Sequence, residues 1–126
     1  MIEIREYLDT QGRSAYARWF DELNARAAAK VATALVRMEQ GNLSNAKSVG
    51  SGLFENRIDF GPGYRVYFGK DGDSLVILLG GGTKKRQQKD IEAARALWHE
   101  YKQRKRQETW SDGPDTRLQR DDPGSR

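Results

Sequence analysis

The chain has 126 residues, a formal net charge of +4, no cysteine and a single histidine. That length supports one domain with a modest core, and the lack of cysteine excludes a disulfide framework, a thiol nucleophile and cysteine-ligated zinc. No window reaches the apolar length of a membrane span, and MIEIREYLDTQGR carries acids and arginines where a secretory signal needs an apolar stretch, so a cytoplasmic protein is expected.

Residues 2–8, IEIREYL, alternate apolar and polar and predict a first strand. After the QGR turn, Ser14 is placed to cap a helix with Tyr16, Trp19, Phe20 and Leu23 on one face. Asn24 caps a second helix or lies within a continuation of the first. Its apolar side is Ala27, Val31, Ala34, Leu35 and Met38, and Gly41 is placed to end it. Residues 42–53 form a polar, glycine-bearing connection. Three strands follow at about 54–60, 64–70 and 74–80, joined by Gly61-Pro62-Gly63 and by the Asp71-Gly72 hairpin turn. Connections this short require antiparallel neighbours. The third of these strands, LVILLG, is apolar on both faces and needs cover on both sides. The Gly80-Gly81-Gly82 run leads as a tight turn or linker into a last helix with the stripe Ile91, Ala94, Leu97, Trp98 and Tyr101. The expectation is an α+β fold in the order β-α-α-β-β-β-α, a small twisted antiparallel-rich sheet packed by helices. The folded domain spans 1–106, and the breaker-rich stretch 107–126 is expected to be a disordered tail.

Charge is unevenly spread. Residues 1–60 hold 8 basic and 8 acidic residues, whereas 84–106 hold 9 basic against 3 acidic. A basic concentration after the last strand fits a polyanionic partner, and equally a solubilising helix face. The hairpin RIDFGPGYRVYF adds Arg57 and Arg65 to that field. A tight turn at 61–63 pairs Phe60 with Tyr64, Ile58 with Val66 and Asn56 with Phe68, giving one apolar side. The other side then pairs Asp59 with Arg65 and Arg57 with Tyr67, with Glu55 next along. Such a face is either a solvated row of weak cross-strand ion pairs or part of a phosphate-handling surface. The glycine run before Lys84-Lys85 lacks the spacing of a nucleotide-binding P-loop.

Several spaced motifs carry a family resemblance. LFENRIDFGPGYRVYF, the Asp-Gly turn and LVILLGGGTKKRQQKDIEAARAL resemble the RelE/ParE superfamily of type II toxins, most nearly its HigB-like addiction module killer branch. The matching pieces are Glu55-Asn56-Arg57-Ile58, residues 63–68, residues 76–82 and Lys84 through Ala94, in the family's order; the likeness extends over roughly 1–105. The resemblance implies a RelE-like twisted sheet with helices on one side, and ribosome-dependent mRNA cleavage silenced by a cognate antitoxin of helix-turn-helix type. It implies that Arg57, Arg65 and Lys84 form the catalytic surface, with Lys85 and Lys89 beside them; Arg86 and Tyr67 are expected to contact RNA as well, Tyr67 as a stacking platform or proton donor. No cofactor, metal or membrane is expected.

Those residue types suit the implied chemistry. The RNA's own 2′-OH attacks the adjacent phosphorus, leaving a cyclic phosphate, so no metal is required. The protein then has to hold the nucleotide in line and stabilise a phosphorane carrying extra negative charge. Paired arginines clamp phosphate oxygens, and Lys84 neutralises the phosphate or protonates the leaving 5′-oxygen. The proton acceptor is open: Asp90 and Glu55 are candidates, and His99, beside Trp98 in the last helix, reads as a surface or interface residue. Two other functions stay open: a ParE-type inhibitor of DNA gyrase, and a non-catalytic RNA-binding module using 84–106 as its footprint.

Overall fold

The computed structural model describes residues 1–112 of the chain. Strand β1 is Glu3–Glu6, followed by helices α1 (Ala15–Asp21) and α2 (Ala25–Glu39). Four strands come next: β2 (Ala46–Ser48), β3 (Leu53–Ile58), β4 (Tyr64–Asp71) and β5 (Leu75–Thr83). A 3₁₀ turn at Lys84–Arg86 leads into helix α3 (Gln87–Asp112). The sheet has five strands in the order β1-β5-β4-β3-β2; β1 runs parallel to β5 and all other neighbours are antiparallel. Among the described residues no helix is long and apolar enough to cross a membrane.

Local chemistry sets the helix ends. The backbone N–H of Ala17 donates to Ser14 Oγ (3.0 Å) and that of Ala27 to Asn24 Oδ1 (2.9 Å), so each residue caps its own helix and α1 and α2 are separate. At the far end of α2, Gly41 takes φ +91° and its N–H donates to Met38 O, closing the helix through a left-handed residue.

Both faces of β5 are covered. Tyr16, Val31, Met38, Ile58, Val66, Phe68, Val76 and Leu78 form one core beneath α1 and α2. Tyr7, Leu53, Tyr67, Ile77, Leu79, Ile91, Ala94 and Trp98 form the other beneath α3. The helices therefore occupy both sides of the sheet, not one side as the resemblance implied, because LVILLG offers apolar side chains alternately to each.

Other expectations need correction. The connection 42–53 contains a short edge strand, β2, whose Lys47 pairs with Glu55. Helix α3 continues past residue 106 to Asp112, and residues 113–126, the rest of the expected tail, lie outside those described. The glycine run is not a linker. Gly81 pairs with Val66 and Gly82 with Arg65 inside β5, with a bulge between Tyr67 and Phe68. A Cβ on Gly81 would lie inside contact distance of the Trp19 ring, so glycine is what lets α1 pack directly on the strand.

Candidate functional site

The β3–β4 hairpin differs from the tight-turn reading by two residues. Its closing pair is Ile58 with Tyr64, leaving Asp59–Gly63 as the loop. Gly61 and Gly63 take φ +55° and +81°, and the Gly63 N–H donates to Phe60 O at 3.0 Å, so the chain curls before it reverses. A slip of two keeps every side chain on its face. It does change the partners. Arg57 sits directly opposite Arg65, and Glu55 opposite Tyr67, in place of Asp59–Arg65 and Arg57–Tyr67.

Two like charges directly opposite on a ladder repel each other, so something must compensate. Glu55 does. Its side chain is fully buried, with Oε1 3.2 Å from Nε of Arg57 and Oε2 3.8 Å from Nε of Arg65. The longer separation is a charge pair but not a hydrogen bond, and Arg65 Nε is buried without a hydrogen-bond partner. Gln87, the first residue of α3, donates from Nε2 to Glu55 Oε2 at 2.6 Å. The Tyr67 hydroxyl lies 3.5 Å from the same oxygen. One carboxylate thus ties β3, β4 and α3 together.

The row continues across the sheet to Gly82, the neighbour of Arg65 on β5. Here the missing side chain leaves room for Asp90 of α3, whose carboxyl rests against the glycine. Asp90 Oδ2 is buried without a partner, and Oδ1 lies 4.0 Å from Nε of Arg86. Burial pushes the Asp90 carboxyl above the usual carboxylate range, against the opposing pull of Arg86 and Lys89.

Lys84 follows immediately. Its N–H donates to Gly63 O at 2.8 Å, which fastens the end of β5 to the hairpin loop. A Cβ on Gly63 would lie 3.5 Å from both Lys84 Cβ and Arg65 Nη1, so those two cationic residues flank one glycine. Arg57 is half exposed, Arg65 is nearly buried, and Lys84, Lys85, Arg86 and Lys89 are exposed. The result is a cationic corner where the hairpin tip, the end of β5 and the start of α3 meet.

Residues 18–99 match the family of phage-derived Gp49-like proteins (DUF891). The chain belongs to the Gp49-like family. A relative in Haemophilus influenzae, itself an uncharacterized protein, is 48% identical over 83 residues, covering 65% of this chain and 84% of the relative. Every residue of the cationic corner falls inside the Gp49-like segment.

Most of the expected site residues of this Gp49-like protein lie in or beside that corner. Arg57 and Arg65 are direct neighbours, with Lys84 beside them. Lys85, Arg86 and Lys89 continue along the outer surface of the turn and α3. Tyr67, expected to contact RNA, is fully buried, and burial with the nearby Glu55 and Asp90 carboxylates raises its hydroxyl above the usual tyrosine range. Its ring offers no open face to a base. His99 is exposed on α3, in contact with Gln103, and takes no part in the corner. Gln87 was not singled out in the sequence. The signal available for it was its place at the head of α3, directly after the basic run.

Proposed function

We propose that this protein is the toxin of a toxin–antitoxin pair and acts as a ribosome-dependent mRNA endonuclease of RelE/HigB type. The Gp49-like family is toxin-like and belongs to addiction modules, which supports the toxin reading and an antitoxin partner. One observation carries the phosphate chemistry: two arginines stand directly opposite each other beside an exposed lysine, with one buried carboxylate hydrogen bonded to Nε of Arg57 and charge-paired with Arg65. A solvated ladder has no reason to place like charges in register.

In this reading Arg57 and Arg65 grip the non-bridging oxygens of the scissile phosphate through their terminal amino groups. The neighbouring 2′-oxygen attacks phosphorus, giving up its proton to water or to a group of the ribosome, and the bond to the 5′-oxygen breaks. The products are a 2′,3′-cyclic phosphate and a 5′-hydroxyl. Lys84 offsets the charge gained in the phosphorane or delivers a proton to the departing oxygen. The ribosome supplies the alignment that a small open corner does not.

The test is primer extension on a defined mRNA translated in a purified system. Arg57 and Lys84 are the exposed members, so Arg57→Ala and Lys84→Ala test chemistry without opening the core. New 5′ ends that require ribosomes and fall by about 10²–10³-fold in each variant are expected. Cleavage by neither wild type nor variants, with translation unaffected, overturns the endonuclease and leaves gyrase supercoiling as the next assay.

A further inference from the structure

A buried carboxylate at the centre of a site meant for phosphate is a paradox, because it carries the charge of the ligand the site should attract. The geometry resolves it. Glu55 meets Arg57 at Nε and faces Arg65 at Nε, the inner edge of each guanidinium. Nε is the nitrogen of Arg57 that is hydrogen bonded among the described residues, and beyond Glu55 Arg65 has only a 3.5 Å approach of Nη1 to Gly63 O. The outer amino groups of both arginines are left for another acceptor. Glu55 is itself held by Gln87, whose Nε2 donates to Oε2 at 2.6 Å. An arginine fork held at one edge by a carboxylate has its planar orientation fixed, and its remaining donors are aimed.

We infer that Glu55, latched by Gln87, is the positioning residue of this site: it fixes the Arg57 fork through a hydrogen bond and draws the Arg65 guanidinium to the same carboxylate by charge, so that the two face a single phosphate. The inference rests on the endonuclease reading for its rate effect, but not for its binding effect. It differs from a proton-acceptor role, because Glu55 has no exposed atom to offer a 2′-hydroxyl.

The experiment uses the full chain with Glu55→Gln, which keeps the shape and removes the charge. Loss of aim acts on the transition state, so single-turnover cleavage on saturating programmed ribosomes should fall by about 10²-fold. The half-saturating toxin concentration should stay level or drop, since one negative charge has left the corner. An unchanged rate, or a slower rate fully explained by a higher half-saturation, overturns the inference. Should Glu55→Gln not fold, Gln87→Ala replaces it; releasing the latch should slow cleavage by about 10-fold without raising half-saturation, and an unchanged rate overturns the proposal.

A second arm separates this inference from the activity itself. Anisotropy of a labelled, fully 2′-O-methylated single-stranded RNA reports binding with no cleavage. Arg57→Ala should weaken that binding several-fold in the wild-type background, and less than twofold when Glu55 is already Gln. Equal losses in both backgrounds refute coupling between Glu55 and Arg57. Should wild type cleave nothing, this cycle decides the question by itself.

Discussion

Gly82→Ala perturbs the corner at its tightest packing. The residue lies in β5 without a left-handed φ, so the backbone accepts alanine and only space is at issue. The new methyl carbon would lie 2.7 Å from Asp90 Cγ and 3.4 Å from Asp90 Cβ, with the carboxylate oxygen Oδ2 nearer still. Ordinary carbon contacts fall at about 3.5–4.0 Å, so the carboxyl has to retreat by about 1 Å from its present place against the strand. Overpacking of this kind costs about 1–3 kcal/mol, and the stiffer unfolded chain returns about 0.5 kcal/mol, for a net loss of ~0.5–2.5 kcal/mol. Asp90→Ala removes the obstacle, so Gly82→Ala in that background should be neutral within about 0.5 kcal/mol. Urea unfolding followed by tryptophan fluorescence measures all four corners of the cycle, because Trp19 and Trp98 pack on opposite faces of the sheet. Equal destabilisation by Gly82→Ala in both backgrounds would refute the claim that Asp90 fills the space of the missing side chain.

Gly69→Ala should be more severe, at about 2–3 kcal/mol, because its Cβ would lie 2.6 Å from Cδ2 of Trp98, whose ring is pinned by an N–H bond to Ser51 O at 3.0 Å; a midpoint unchanged in urea would contradict that packing. Ser14→Ala should cost about 1 kcal/mol through the lost cap of α1, read by thermal unfolding. Two carboxyls should act in opposite senses on stability as pH changes. Hydrogen bonds from Lys105 and Tyr101 hold Asp71 below its ordinary pKa of 3.8, so its contribution is present above that value and is lost as pH falls through the folded pKa; Asp71→Asn should flatten that acid limb. Asp90 is raised by burial, so its contribution is present below 3.8 and lost as pH rises through its folded pKa. Asp90→Asn should therefore gain stability relative to wild type at pH 7 and not at pH 3, and a uniform shift at both would refute the burial argument.

The elements legible in the sequence were those where one local signal sufficed. Ser14 announced one helix start and Asn24 offered a second, and the 3.6-residue stripes of α2 and α3 named the faces that meet the sheet. The failures share a different cause. Gly80-Gly81-Gly82 reads as flexible until Trp19 and Asp90 are seen resting on it, and those contacts come from helices distant in sequence. The edge strand β2 is similarly invisible. AKS carries no pattern of its own and becomes a strand because β3 presents a free edge to it.

The site shows which part of a register argument survives error. The expected pairing was wrong by two residues, yet Glu55, Arg57, Arg65 and Tyr67 still share one face, since side-chain direction repeats every second residue. A slip of one would have placed Arg57 and Arg65 on opposite faces, turning one of them into the core beneath α1 and α2. What parity cannot supply is who faces whom, and that is where the chemistry lies. Asp59 opposite Arg65 would make a surface ion pair with no purpose beyond the sheet. Arg65 opposite Arg57 makes a repulsive pair that persists only with Glu55 between their Nε atoms and Gln87 bonded to Glu55. Burial of that carboxylate is costly unless its partners are fixed, and the buried, unpartnered Nε of Arg65 shows that the compensation is incomplete. A protein selected for stability alone would do better with one apolar pair at these positions. On the proposed reading, a phosphate at the outer amino groups would supply the negative charge that this arginine pair lacks.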